Sequence, residues 1–281
     1  MPSKSKPLLT RRRLLRQSAA AGVASVLNNA GAAVVDLHPK GNFRYLRGIA
    51  PYSSGALAER NHQVVHVTFA SPPPYRLGFL AIDSHLKQEK RPPESLCGIE
   101  LRSPRPFTFD GFNQFNQEYI EQLKQRGLFT DGTNPVARTN VAPELNPPSE
   151  VLLYGFSYTA PAKTTKQTFV IAGAGELLGE RLDARDIVKR GDVSPAGLRA
   201  KATHVLGLMD QRLRTLGVSW GDVTIVNVYT VHNIAPLMKD LLLARAGAAT
   251  LHGIDWHFAH PPIREIEFEM DVRGCARELV L

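Results

Sequence analysis

The sequence predicts an α+β fold built from two similar halves, each a mixed sheet with helices packed on one face. Three observations predict it. Segments rich in β-branched residues alternate with amphipathic helical ones, the order recurs on either side of a polar stretch, and a single copy would leave one sheet face uncovered.

In the first half, His62 to Ala70 and Cys97 to Arg102 read as strands. Phe109 to Arg126 reads as a helix: Asp110 can cap it, and Phe112, Phe115, Tyr119 and Leu123 recur at helical spacing. Ala137 to Val141 and Val151 to Tyr154 read as further strands across a proline-rich turn. The polar run Thr159 to Gln167 has the composition of a linker, which places the halves at residues 40–160 and 161–281.

Thr168 to Ala172 opens the second half as a strand. Ser194-Pro195 is a helix start, with a hydroxyl at the cap and proline at the first helical position. Leu198, Ala202, Val205, Met209, Leu213 and Leu216 form one apolar stripe, which Gly217 stops. Asp222 to Tyr229 is the strongest strand candidate, a short helix is expected over 236–245, and Ile263 to Val272 is expected to close the half as a strand.

Charge and composition narrow the function. Six of the 34 basic residues lie within the first 32 positions, which hold no acid; the remaining 28 face 26 acids. So balanced a body gives no footprint for a polyanion, and nucleic acid is not expected as a partner. No apolar run reaches the eighteen residues that suggest a membrane-spanning helix. Cys97 and Cys275 lie far apart without metal spacing and read as two free buried thiols. Residues 1–32 join a basic region (Thr10-Arg11-Arg12-Arg13-Leu14-Leu15-Arg16), a short apolar run and Ala30-Gly31-Ala32. These are the parts of an export signal, and the paired arginines resemble the twin-arginine type. A periplasmic location is expected, or a cytoplasmic one if the segment is instead an attached amphipathic helix.

Several motifs resemble one family. Ala50-Pro51-Tyr52-Ser53-Ser54-Gly55 is similar to the "G-PYS-x-G" opening of the Rid (YjgF-like) proteins. Phe112, Asn116 and Tyr119 match its "F-x-x-x-N-x-x-Y" helix, Pro135 to Val141 its "P-A-R-T-x-V" segment, and Ile266 to Glu269 its "I-E-I-E" strand. Among tandem members the chain is most similar to the deaminases of 2-aminomuconate and its chlorinated analogue, in NFRYLRGIAPYSSG, CGIELRSPRPFTF and NPVARTNVAP. The chorismatases share a related two-domain layout.

The resemblance implies two tandem Rid-like (chorismate-mutase-like) domains, a homotrimer, and hydrolytic deamination of a small enamine or imine carboxylate without a cofactor. Arg138 is the expected carboxylate grip, because a guanidinium meets a carboxylate through two parallel hydrogen bonds. Glu267 is the expected acid–base group, with Tyr52 and Asn116 donating to the substrate. Arg138 lies in one half and Glu267 in the other, so the site is expected to be composite. A non-catalytic binding protein or a chorismatase-like hydrolase are the alternatives.

Three patterns compete. His252, Asp255, His257 and His260 invite a metal, but on an extended segment they point to both faces, so no metal is expected. Gly173, Gly175 and Gly179 miss dinucleotide-loop spacing. Ser53 and Ser54 carry no nucleophile signature.

Overall fold

The computed structural model describes residues 34–179 and 182–281. The export-signal reading of residues 1–32 falls outside them.

Two mixed sheets lie face to face. The seven-stranded sheet has the order β1 (Val35–His38), β2 (Phe43–Leu46), β3 (Gly55–Ala58), β8 (Phe169–Gly175), β12 (Glu269–Gly274), β9 (Ile225–Tyr229), β10 (Asp255–His257). The six-stranded sheet has the order β11 (Ala259–His260), β6 (Ala137–Pro143), β5 (Leu96–Arg102), β7 (Leu152–Pro161), β4 (His62–Thr68), β13 (Arg277–Val280). Each sheet therefore takes strands from both halves of the chain, and each covers the face that the other would leave bare.

Helices close the outer faces. Helices α1 (Tyr75–Gln88) and α2 (Phe109–Gln125) lie on the six-stranded sheet, where Phe79, Ile82, Tyr119 and Leu123 pack against Val65, Ile99 and Phe156. Helix α3 (Pro195–Leu216) lies on the seven-stranded sheet with its stripe against Ile171, Val226 and Met270. The Ser194 hydroxyl accepts from the Gly197 amide and Gly217 ends α3 at φ 78°, as the sequence predicts. An irregular helical run over 235–252 replaces the short helix expected at 236–245. No described helix is long and apolar enough to cross a membrane. Cys97 and Cys275 are both free and buried, in one apolar cluster between the sheets.

Two local expectations need correction. The cap of α2 is Thr108, whose side chain accepts from the Gly111 amide; Asp110 lies inside the first turn. The strand expected over Ile263 to Val272 begins only at Glu269, and β13 follows it; the Glu176 carboxylate takes the amides of Glu267 and Phe268 (2.7 and 3.0 Å) that a ladder would use. Glu265 just upstream sits at φ 71°, which is also incompatible with a strand.

The space between the sheets is partly polar. Asp271 accepts from Thr139 (2.7 Å), Asn227 (2.8 Å) and Tyr229 (2.9 Å), which satisfies a carboxyl whose pKa burial and then Glu100 raise. Burial, with Arg273 adding, pushes His66 down to about 3. It is therefore neutral and bonded to Ser157 (3.0 Å), and its 3.5 Å approach to Glu100 is no ion pair.

Candidate active site

Strand β6 and helix α2 belong to one β5–α2–β6 crossover, with β5 and β6 parallel. Helix α2 therefore runs antiparallel to β6 across the sheet, and Arg138 near the amino end of β6 meets Asn116 and Tyr119 in the middle of α2. Ala137 and Thr139 face the other sheet, so the period-two alternation turns Arg138 and Asn140 toward α2. Both are almost fully buried.

Arg138 is held without being neutralised. Its Nη2 donates to Asn116 Oδ1 at 2.7 Å. Its guanidinium carbon lies 4.6 Å from the ring centres of both Tyr52 and Tyr119, with Phe112 at 5.3 Å. Burial lowers its pKa, while Tyr119, Tyr52 and Glu269 work against that; a guanidinium stays charged under such a pull. Its Nη1 meets no acceptor from the protein, and neither does Asn140 Nδ2; the Tyr119 hydroxyl is likewise unpaired. All three are buried polar groups on the layer between β6 and α2. Leaving one such group unsatisfied costs roughly 1–3 kcal/mol, which a ligand acceptor would return.

The nearby carboxyl comes from the second half of the chain. Glu269, at the start of β12, lies over Gly173 of β8, where an added Cβ would collide with Glu269 Oε1. The Gly173 amide donates to Thr139 Oγ1 (3.0 Å), the neighbour of Arg138, and Arg212 of α3 donates to the adjacent Ala172 carbonyl (2.8 Å). Burial, then Asp271 and Glu176, raise the Glu269 pKa well above the usual carboxylate range; attraction to Arg138 and Arg212 only partly offsets this. Glu269 is thus a buried acid that gives up its proton less readily than an ordinary carboxyl. A cavity of about 20 Å³, lined among others by Arg138, Thr139, Ala172 and Asp271, is large enough for a water.

Glu269 is held in place from below. The Glu176 carboxylate that fixes the 267 and 268 amides is itself paired with Lys201 of α3 (3.0 Å), whose Nζ also donates to the Val188 carbonyl (2.9 Å). Lys201 and Glu176 are both fully buried.

The structure brings Tyr52, Asn116 and Arg138 together. Glu267 is engaged elsewhere: its Oε2 lies 2.7 Å from His232 Nε2, and both side chains are partly exposed. The histidines of the competing metal pattern also separate, with His257 bonded to Asn227 (3.0 Å) in one sheet and His260 paired with Glu144 (2.8 Å) at the edge of the other.

A family model described as 2-aminomuconate deaminase CnbZ matches residues 35–279. The chain belongs to that family. A 2-amino-5-chloromuconate deaminase from Comamonas testosteroni is 41% identical over 244 residues, covering 86% of this chain and 96% of the relative. Among solved structures, a chorismatase is 14% identical at a TM-score of 0.46, covering 86% of this chain and 80% of its own. A Rid-family protein of unknown function from Yersinia pestis is 19% identical at a TM-score of 0.27, covering 42% of this chain and 83% of its own.

Several residues of this site escaped the sequence reading. Glu269 lies two positions beyond Glu267, and period-two alternation alone cannot choose between them. Tyr119 and Asn140 lie inside the quoted motifs, but nothing in a sequence announces an unpaired donor. Lys201 has no signal at all, since a lysine on a helix usually reads as solvated.

Proposed function

We propose that the chain is a hydrolytic deaminase of a small enamine or imine carboxylate of the 2-aminomuconate type, acting without a cofactor at the Arg138–Glu269 site. The carrying observation is the buried guanidinium of Arg138, fixed by Asn116 and two aromatic rings yet with Nη1 unmatched by any protein acceptor. A substrate carboxylate supplies that acceptor. Membership of the deaminase family and the relative's name support the substrate class.

The chemistry needs one acid–base group and one water. Glu269, protonated in its buried setting, gives its proton to the enamine carbon, and the C–N bond becomes an iminium. Water adds to the iminium carbon, the one that bears nitrogen, and returns a proton to the Glu269 carboxylate. Transfer of a proton to nitrogen lets ammonia leave and an oxo acid form. The sum is substrate plus water giving oxo acid plus ammonia, with no redox change.

Ammonia release from 2-aminomuconate tests the reading. The wild-type chain turns it over, and Arg138→Ala loses about 10²–10³-fold in kcat/KM, the scale of a lost charge-stabilising donor. Unchanged turnover in Arg138→Ala refutes the site, and an inactive wild type refutes the substrate class. We also propose a homotrimer exported through a twin-arginine signal, readable by light scattering and by amino-terminal sequencing of the mature protein.

A further inference from the structure

Asn140 takes no part in the chemistry above, yet it repeats the feature that marks Arg138. It is 3% exposed, its Oδ1 accepts from Ser103 Oγ at 2.9 Å, and its Nδ2 has no protein acceptor. It stands two residues beyond Arg138 on the same face of β6, about 6.5–7 Å along the strand. That step leads toward the carboxyl end of β6 and the amino end of α2. Two unpaired buried donors on one face, one strand repeat apart, match a ligand with an acceptor at each end better than a single carboxylate.

We infer that Asn140 holds the second carboxylate of a dicarboxylate substrate, donating from Nδ2 while Arg138 grips the carboxylate at the other end. This rests on the deaminase reading and adds a specificity-determining residue to it. Ser103 anchors one end of the amide, which leaves the other end for a ligand.

Two non-reacting ligands isolate the second carboxylate: trans,trans-muconate and sorbate share a six-carbon diene and differ by one carboxylate. Calorimetric titration of the full chain is expected to show muconate binding about 10-fold tighter or more, the scale of a hydrogen bond to a charged group. Asn140→Leu removes that preference by weakening muconate alone. Asn140→Asp, which keeps an acceptor for Ser103, weakens muconate at least as much and spares sorbate. Thermal melts show which variant is folded, and either one suffices to decide. Equal losses for both ligands, or no loss for either, overturn the inference. Arg138→Lys separates the two ideas. If it weakens both ligands while the Asn140 variants weaken neither, the site stands and only the role of Asn140 falls. If the wild type binds neither ligand, both fall.

Discussion

Helix α3 covers the seven-stranded sheet with Leu198, Ala202, Val205, Met209, Leu213 and Leu216, whereas α2 covers the six-stranded sheet with Phe112, Asn116, Tyr119 and Leu123. The polar group beneath α3, Lys201, meets the Glu176 carboxylate and a carbonyl. Beneath α2, Arg138 Nη1, Asn140 Nδ2 and the Tyr119 hydroxyl meet no protein partner. One layer satisfies its buried cation by its own bonding, and the other leaves buried polar atoms without a protein partner. The closed layer also serves the open one, because Glu176 fixes the segment that delivers Glu269.

Breaking the closed layer is expected to have the largest effect. Lys201→Met leaves the Glu176 carboxylate buried without its cation and costs about 3–5 kcal/mol in denaturant unfolding. A cost below about 1 kcal/mol would mean that the pair is not the clamp described. Adding Glu176→Gln to Lys201→Met should recover part of the stability, since an amide costs less to bury than an unpaired charge.

Glu269→Gln sharpens the contrast, because activity and stability move in opposite directions. Loss of the acid lowers kcat by about 10²-fold or more. The folded-state pKa of Glu269 lies above its unfolded value, so the native state holds a proton that the unfolded chain releases as pH rises past the ordinary carboxylate range. Stability from this group is present at acid pH and is lost as pH rises toward the folded pKa. At neutral pH the glutamine variant, which escapes that loss, is expected to melt higher than wild type and to show a flatter dependence of melting temperature on pH. Wild-type turnover, needing the protonated acid, falls as pH rises through the same folded pKa. A glutamine variant that melts lower at pH 7 would contradict the protonated state.

The smallest effect compares the two helix caps. Thr108→Ala and Ser194→Ala each remove a side-chain acceptor at a helix start and cost about 1 kcal/mol. Only the Thr108 change frays the end of α2 near Asn140, so it alone should raise KM for 2-aminomuconate. Equal KM values for the two variants would place the substrate elsewhere.

Local signals read well from the sequence. Ser194-Pro195 and Gly217 bound α3, the stripe from Leu198 to Leu216 faces the core, and β4, β5, β6 and β8 start within a residue of their expected positions. Each is written in neighbouring residues and a fixed period. The candidate residues that belong to a motif, Tyr52, Asn116 and Arg138, are also named by neighbouring residues, and the structure gathers them around one guanidinium. The segment before β12 was not legible: its alternation reads as a strand, but a carboxylate 91 residues away takes its amides.

The sequence by itself determined the α+β class, the two ends of α3 and the deaminase resemblance. All of these depend on periodicity, turn chemistry or local motif. Only the tertiary structure decided which strands share a sheet, why Glu269 stands near Arg138 while Glu267 pairs with His232, and why a helical lysine is fully buried. Those outcomes depend on groups far apart in the chain competing for the same hydrogen bonds and the same desolvated space. No local pattern records which of them wins.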